Sequence, residues 1–127
     1  MNDHPNAALY RRLFDAMMNR DSEAAMDAVA DDIVYHIIGS DEPIVGKEAV
    51  VASLTALDES GFDFDGELHD VVANDDHTIA LVQARVTKDG ETFEYRTAEI
   101  FHVEDGKFTE RWAFSDDTEA INRFFGT

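Results

Sequence analysis

The sequence contains no cysteine, which removes disulfides, thiolate metal sites and cysteine nucleophiles together. Lysine is scarce, with three in 127 residues against seven arginines, 17 aspartates and 11 glutamates. The net charge of -18 at pH 7 creates a field that repels nucleic-acid phosphate and anionic lipid, so neither is expected as a partner. No stretch approaches the roughly 18 uninterrupted apolar residues of a membrane span. Met1-Asn2-Asp3-His4-Pro5 lacks the basic-then-apolar order of a signal peptide, and a cytoplasmic protein is the default expectation. No two histidines have the close spacing of a metal site such as H-x-x-x-H, and there is neither a glycine-rich phosphate loop nor a G-x-S-x-G elbow. No metal or cofactor is expected.

What is present is an ordinary core, 44% hydrophobic, in a chain of one-domain length; a single domain over residues 1–127 is expected. That core separates the chain from disordered acidic tails. An Asp-rich, Lys-poor surface resembles cytoplasmic proteins of salt-loving microbes, in which high salt screens self-repulsion. The alternative is a merely acidic protein from an ordinary bacterium.

Periodicity divides the chain into two regimes. Tyr10, Leu13, Phe14 and Met17 fall on one face of a helix over Asn6–Asn19. Asp21 is an N-cap for a second short helix with Ala25, Met26 and Val29 inward. A strand over Ile33–Ile38 ends at Gly39-Ser40-Asp41-Glu42-Pro43, and a third helix from about Gly46 to Leu57 presents Val50, Leu54 and Leu57. Beyond Gly61 four extended runs follow, separated by Asn74-Asp75-Asp76, Lys88-Asp89-Gly90 and Glu104-Asp105-Gly106. Asp-Gly between alternating runs signals a hairpin, since both positions tolerate positive φ. A last helix starts at Asp116 with Glu119 completing a capping box, and buries Ile121, Phe124 and Phe125. This order predicts an α+β fold, a curved antiparallel sheet wrapped over helices in a cone-shaped roll with a pocket at its concave mouth.

Strand parity then selects candidate site residues. Phe93, Tyr95, Thr97, Glu99, Phe101 and Val103 share one face of the third meander strand; Phe108, Glu110, Trp112 and Phe114 share one on the fourth. A lone glutamate in each aromatic stripe would be desolvated and suited to acid or base work. Against this, a bulge would turn Glu110 outward, and either glutamate could pair with Arg85, Arg96 or Arg111. His36 sits between apolar Val34 and Ile38, as a proton shuttle or ligand contact, or else as a core histidine bonded to backbone. His69, His77 and His102 read as surface residues. Tyr10 and Phe14 on the first helix would line the pocket with Tyr95, Phe101, Trp112 and Phe114, although a core tyrosine is the safer reading of Tyr10.

Val29-Ala30-Asp31-Asp32-Ile33-Val34-Tyr35-His36, then Gly39-Ser40 and Gly46-Lys47-Glu48-Ala49-Val50, resembles the entry segment of the nuclear transport factor 2-like superfamily. Phe101-His102-Val103-Glu104-Asp105-Gly106-Lys107-Phe108-Thr109-Glu110-Arg111-Trp112, followed by Ser115-Asp116-Asp117, resembles its closing strands in SnoaL-like members. The resemblance implies a cone-shaped α+β roll, but its members range from ketosteroid isomerase, polyketide cyclases and epoxide hydrolases to non-catalytic domains. It argues against the steroid isomerase mechanism, since the tyrosine position falls at Leu13, the base position at His36-Ile37, and only the acid has a counterpart, at Glu99. The SnoaL-like cyclase pattern implies Glu99 as acid or oxyanion donor and Glu110 or His36 as base, acting on a small apolar carbonyl compound. A non-catalytic binding domain with the same cavity is the alternative. The resemblance further implies a homodimer paired through the outer sheet face, which would include Ala98, Ile100, Val82 and Ala84.

Overall fold

The fold is taken from a computed structural model, which describes residues 4–125; Met1–Asp3, part of the segment read for a signal peptide, lie outside the described residues. Ten elements follow in order: α1 (Pro5–Met18), α2 (Ser22–Met26), β1 (Val29–Tyr35), β2 (Ile44–Val45), α3 (Lys47–Glu59), β3 (Asp63–Ala73), β4 (His77–Lys88), β5 (Glu91–Glu104), β6 (Lys107–Ser115) and α4 (Thr118–Phe125). The fold is α+β, with the helices set against one curved, unclosed sheet.

Local chemistry explains the boundaries. Pro5 occupies the first turn of α1, where a missing N–H costs nothing, and the His4 ring accepts from the Asn6 N–H at 3.1 Å. The Asp21 carboxylate caps α2 through the Ala24 N–H at 3.1 Å. The two Asp-Gly turns are built as their sequence demands, with positive φ at Asp89 and Gly90 and at Asp105 and Gly106. Asn74 closes the remaining hairpin by accepting from the Asp76 and His77 N–H groups. At α4 the sequence expectation is one residue early. Asp117 caps the helix through the Ala120 N–H, while Asp116 accepts from the Arg96 N–H on β5.

The six strands lie in the order β2-β1-β6-β5-β4-β3. The meander β3 to β6 is antiparallel throughout, but β1 joins β6 in parallel, so the sheet is not wholly antiparallel. That long-range pairing leaves no local mark, and neither does β2, a two-residue strand folded back on β1. Val29, expected on α2, instead opens β1 and is buried there.

Two irregularities decide which side chains face inward. His69 is an extra residue in β3 between Leu68 and Asp70. On β6, His102 pairs with Glu110 while Val103 pairs with Phe108, which leaves Thr109 as the extra residue. Beyond this bulge the parity of β6 reverses. Phe108 and Arg111 therefore both face the helices, and Glu110, Trp112 and Phe114 face the other side.

The core fills one end of the concave face. Phe108, Ile33, Val71, Phe101 and Val103 are buried there beneath Ala7, Tyr10 and Leu13 of α1. Along β5 the inward residues pass from half-buried Phe93, Tyr95, Thr97 and Glu99 to buried Phe101 and Val103. On α3 only Val50 is buried, and Val51, Leu54 and Leu57 remain half-buried. The apolar lining is thus incompletely covered toward the β5 start and the α3 end. There α4 adds Phe124 and Phe125 to Phe62, Phe64 and Phe93, with ring centroids 4.8–6.2 Å apart. The loop after β1 approaches α4 so closely that a Cβ on Gly39 would run into the Asn122 side chain. Its φ of +81° asks for glycine independently.

Candidate functional site

Five polar side chains from four elements meet on the concave face. Glu99 of β5 and Arg111 of β6 face inward because Phe101 pairs with Arg111 and Glu99 with Ala113. One carboxylate oxygen of Glu99, Oε2, accepts from Arg111 Nε at 3.1 Å and Nη2 at 2.9 Å. The other, Oε1, accepts from the Tyr10 hydroxyl at 2.5 Å. Arg111 Nη1 donates to the His36 backbone carbonyl at 2.9 Å, and its guanidinium lies over the Tyr35 ring, 4.3 Å from the centroid. The pair is largely enclosed, the side chains of Arg111 and Glu99 being 10% and 17% exposed.

All three tyrosines of the chain gather around this pair. Burial, then the charge and hydrogen bond of Glu99, hold the Tyr10 hydroxyl far above the usual tyrosine range. Burial also raises Tyr35, with Arg111 opposing and Glu99 adding. Tyr95 is pushed up to about 12, chiefly by burial; Arg111 opposes the shift, and Glu99 and Tyr35 add to it. Burial works against the Arg111 cation, but Tyr35, Glu99 and Tyr10 outweigh it and the guanidinium sits above its ordinary value. All three phenols are therefore neutral donors at ordinary pH. Tyr10 spends its proton on Glu99. The Tyr35 and Tyr95 hydroxyls have no hydrogen-bond partner among the described residues. No fully buried side-chain polar atom of the described residues lacks a partner, so neither hydroxyl is completely enclosed.

Tyr10, Phe14, Tyr95, Glu99 and Phe101 lie on the concave side. Tyr10 packs against Phe14 and Phe101, with ring centroids at 6.2 and 5.5 Å, and Tyr95 stacks on Phe93 at 5.3 Å. His36, Glu110, Trp112 and Phe114 lie on the opposite side of the sheet, which corrects the expected single stripe through Phe108, Glu110, Trp112 and Phe114. The cause is the Thr109 bulge. On that outer side His36 Nε2 meets Glu110 Oε2 at 2.8 Å, and the His36 ring stacks on Trp112 at 5.4 Å. The acid and base proposed from the sequence are thus separated by the sheet. Two residues of the cluster carried no role in the sequence reading: Arg111 entered only as a partner for a glutamate, and Tyr35 only within a motif. Tyr35 was within reach, because it shares parity with buried Ile33.

Among the described residues no group of three or more His, Asp or Glu side chains is arranged to hold a metal ion.

The model of the SnoaL-like domain matches residues 10–111. The chain belongs to the SnoaL-like family, within the nuclear transport factor 2-like superfamily. No curated protein matches it in sequence. Among solved structures, an NTF2-like protein of unknown function from Burkholderia pseudomallei superposes with a TM-score of 0.84 at 18% identity, over 97% of this chain and 98% of its own. An LEH-like epoxide hydrolase of M. tuberculosis gives 0.78 at 16% identity, over 97% of each chain. IdmH of Streptomyces antibioticus, described as a candidate polyketide cyclase, gives 0.78 at 22% identity, over 96% of this chain and 99% of its own. At these identities the likeness shows the fold alone. The SnoaL-like fold of this chain shares its architecture with proteins described by different activities, and the fold alone specifies none of them.

Proposed function

We propose that this SnoaL-like chain, a single domain over residues 1–127, binds a small, largely apolar organic molecule in its concave mouth. The ligand presents a carbonyl or similar oxygen to the Tyr35 and Tyr95 hydroxyls. The observation that carries this reading is the convergence of three neutral tyrosines on the Glu99–Arg111 pair, two of them with hydroxyls unclaimed by the protein. Half-buried Phe93 and Leu54 supply apolar wall, as ligand sites of this kind require.

Acid/base chemistry on the bound carbonyl compound is the second reading, and one contact favours it. The Tyr10 hydroxyl lies 2.5 Å from Glu99 Oε1, a distance at which a proton can pass between them. In this reading Glu99 and Tyr10 carry the proton, whereas His36 and Glu110 stay outside the ligand's reach. Binding alone is the simpler account, because the two Glu99 oxygens together already accept three hydrogen bonds.

The test is calorimetric titration of hydrophobic carbonyl compounds at high salt, using wild type, Tyr35→Phe, Tyr95→Phe and Glu99→Gln. Each tyrosine variant should lose about 5- to 10-fold in affinity, the worth of one hydrogen bond, with its circular dichroism unchanged. Affinity indifferent to both tyrosines would overturn the assignment. Turnover present in wild type and lost in Glu99→Gln with binding retained would establish the acid/base reading.

Three further properties belong to the same reading. The protein works as a homodimer through the outer sheet face, in the cytoplasm, and in a salt-rich cell where screening offsets its charge of -18. No helix of the described residues is long and apolar enough to cross a membrane.

A further inference from the structure

The contacts of His36 join the two faces of the sheet at one point. β1 ends at Tyr35, and from His36 the chain leaves the sheet toward the Gly39 loop. Three successive residues of β6 hold His36 at this exit. Glu110 Oε2 meets its ring Nε2 at 2.8 Å, and Trp112 stacks on the ring with planes 5° apart. Arg111 clasps the backbone twice: the His36 N–H donates to the Arg111 carbonyl and Arg111 Nη1 donates to the His36 carbonyl, both at 2.9 Å. Glu110 and Arg111 are neighbours pointing to opposite faces. The outer residue grips the His36 side chain, and the inner one uses the His36 carbonyl as a stop for its guanidinium.

We infer that the His36–Glu110 pair is a positioning pair for the concave site, fixing the Arg111 guanidinium, and through it Glu99, from the outer face. Without the outer grip, the contacts that keep residue 36 against β6 among the described residues are the Arg111 clasp and the Trp112 ring. A withdrawn His36 carbonyl deprives Nη1 of its acceptor and lets the guanidinium slide off the Tyr35 ring. The side chains of His36 and Glu110 are 32% and 29% exposed, so the grip sits at the outer surface while the guanidinium it fixes is enclosed on the concave side.

One other ring reaches the pair from the outer face. From β5, His102 Nδ1 lies 3.8 Å from Glu110 Oε1, and the His77 ring of β4 packs edge-on against His102 with centroids 4.7 Å apart. From β1, Val34 pairs with Glu110 and carries no charge, while Arg111 lies beneath on the inner face. His36 is therefore the nearer contact of Glu110, and His102 the more distant, competing one.

The consequence for ligand affinity rests on the proposed binding function, but the positioning itself can be read without a ligand. The experiment follows the Arg111 Nε–H resonance of the ligand-free chain by 15N NMR in high salt at one fixed pH, together with its solvent exchange. In His36→Ala and Glu110→Ala the resonance should shift and its exchange should quicken several-fold while the backbone amides of β4 and β5 exchange as in wild type, and His102→Gln should leave both at the wild-type values. Arg111 Nε–H exchange unchanged in His36→Ala would overturn the proposal, as would a quickening shared by the backbone amides or produced equally by His102→Gln. If Glu110→Ala does not fold, His36→Ala decides the matter. Failure here leaves the tyrosine-lined pocket standing, and failure of ligand binding leaves the positioning pair standing.

Discussion

Arg111 approaches Glu99 from one side only, placing Nε and Nη2 on the single oxygen Oε2 and leaving Oε1 to the Tyr10 hydroxyl. This ties β6, β5 and α1 together through one carboxylate. A largely enclosed charge is tolerated only where paired and hydrogen-bonded, and here the pairing also fixes the rotamers of the groups beside the two free tyrosine hydroxyls.

Removing one partner should therefore cost far more than removing both. Arg111→Met leaves the Glu99 carboxylate enclosed with Tyr10 as its only side-chain donor among the described residues, and should destabilise the fold by about 3–5 kcal/mol. Adding Glu99→Leu to that variant should restore most of the loss. Urea melts of the two single variants and the double one give the coupling. A cost below about 1 kcal/mol for Arg111→Met would place the pair among ordinary surface ion pairs.

The tyrosines give a spectroscopic prediction. In the unfolded chain all three phenols ionise near 10, but in the fold Tyr95 waits until about 12 and Tyr10 and Tyr35 lie above the usual range. The folded state thus keeps protons that the unfolded state has released, and stability falls as pH rises above about 10. Absorbance near 295 nm should stay flat through pH 10, rise first near 12, and complete only on alkaline unfolding seen by circular dichroism. Tyr95→Phe should delete the first rise. A tyrosine titrating at 10 in the folded protein would contradict this picture.

Features set by neighbours in sequence were legible, and features set by neighbours in space were not. Asp89-Gly90 and Asp105-Gly106 announce their turns because the φ values they need are a property of those residues. The face of α1 that buries Tyr10 and Leu13 follows from helical spacing. Nothing in Phe108-Thr109-Glu110-Arg111 marks Thr109 as the extra residue, since the bulge comes from its mismatch with His102 and Val103 on β5. One unmarked residue was enough to move Glu110, Trp112 and Phe114 to the outer face and bring Arg111 in. The parallel seam of β1 with β6 likewise joins residues some 75 positions apart, and only with that seam does His36 meet Glu110.

Salt should act strongly on stability. Of the chain's 28 acidic residues, Asp31, Asp32, Asp75, Asp76, Asp89, Asp105, Asp116 and Asp117 are all exposed on loops and edges, with few cations to answer them. Screening shortens their mutual repulsion to about 3 Å in molar salt. The thermal midpoint should therefore climb markedly from low to molar potassium chloride. A midpoint unmoved by salt would mark an ordinary acidic protein.

The outer sheet face exposes large apolar side chains. Val72, Leu81 and Phe114 are 47%, 41% and 59% exposed, and cross-strand pairing joins them to Ile79, Ala98, Ile100 and Trp112 in one continuous strip. Val82 and Ala84, expected on this face, point to the concave side instead, where Val82 packs on the core. None of the strip residues is acidic, in a chain whose copies otherwise repel one another, so a second copy can approach this strip without charge repulsion. Exposed apolar surface of this continuity is the usual mark of an interface. Light scattering in molar salt should give twice the 14.2 kDa chain mass. Leu81→Glu or Phe114→Asp should return it to the monomer value with circular dichroism unchanged, because neither side chain enters the core. A wild-type mass of one chain at high salt would rule out the dimer, whereas a dimer surviving both substitutions would move its interface elsewhere.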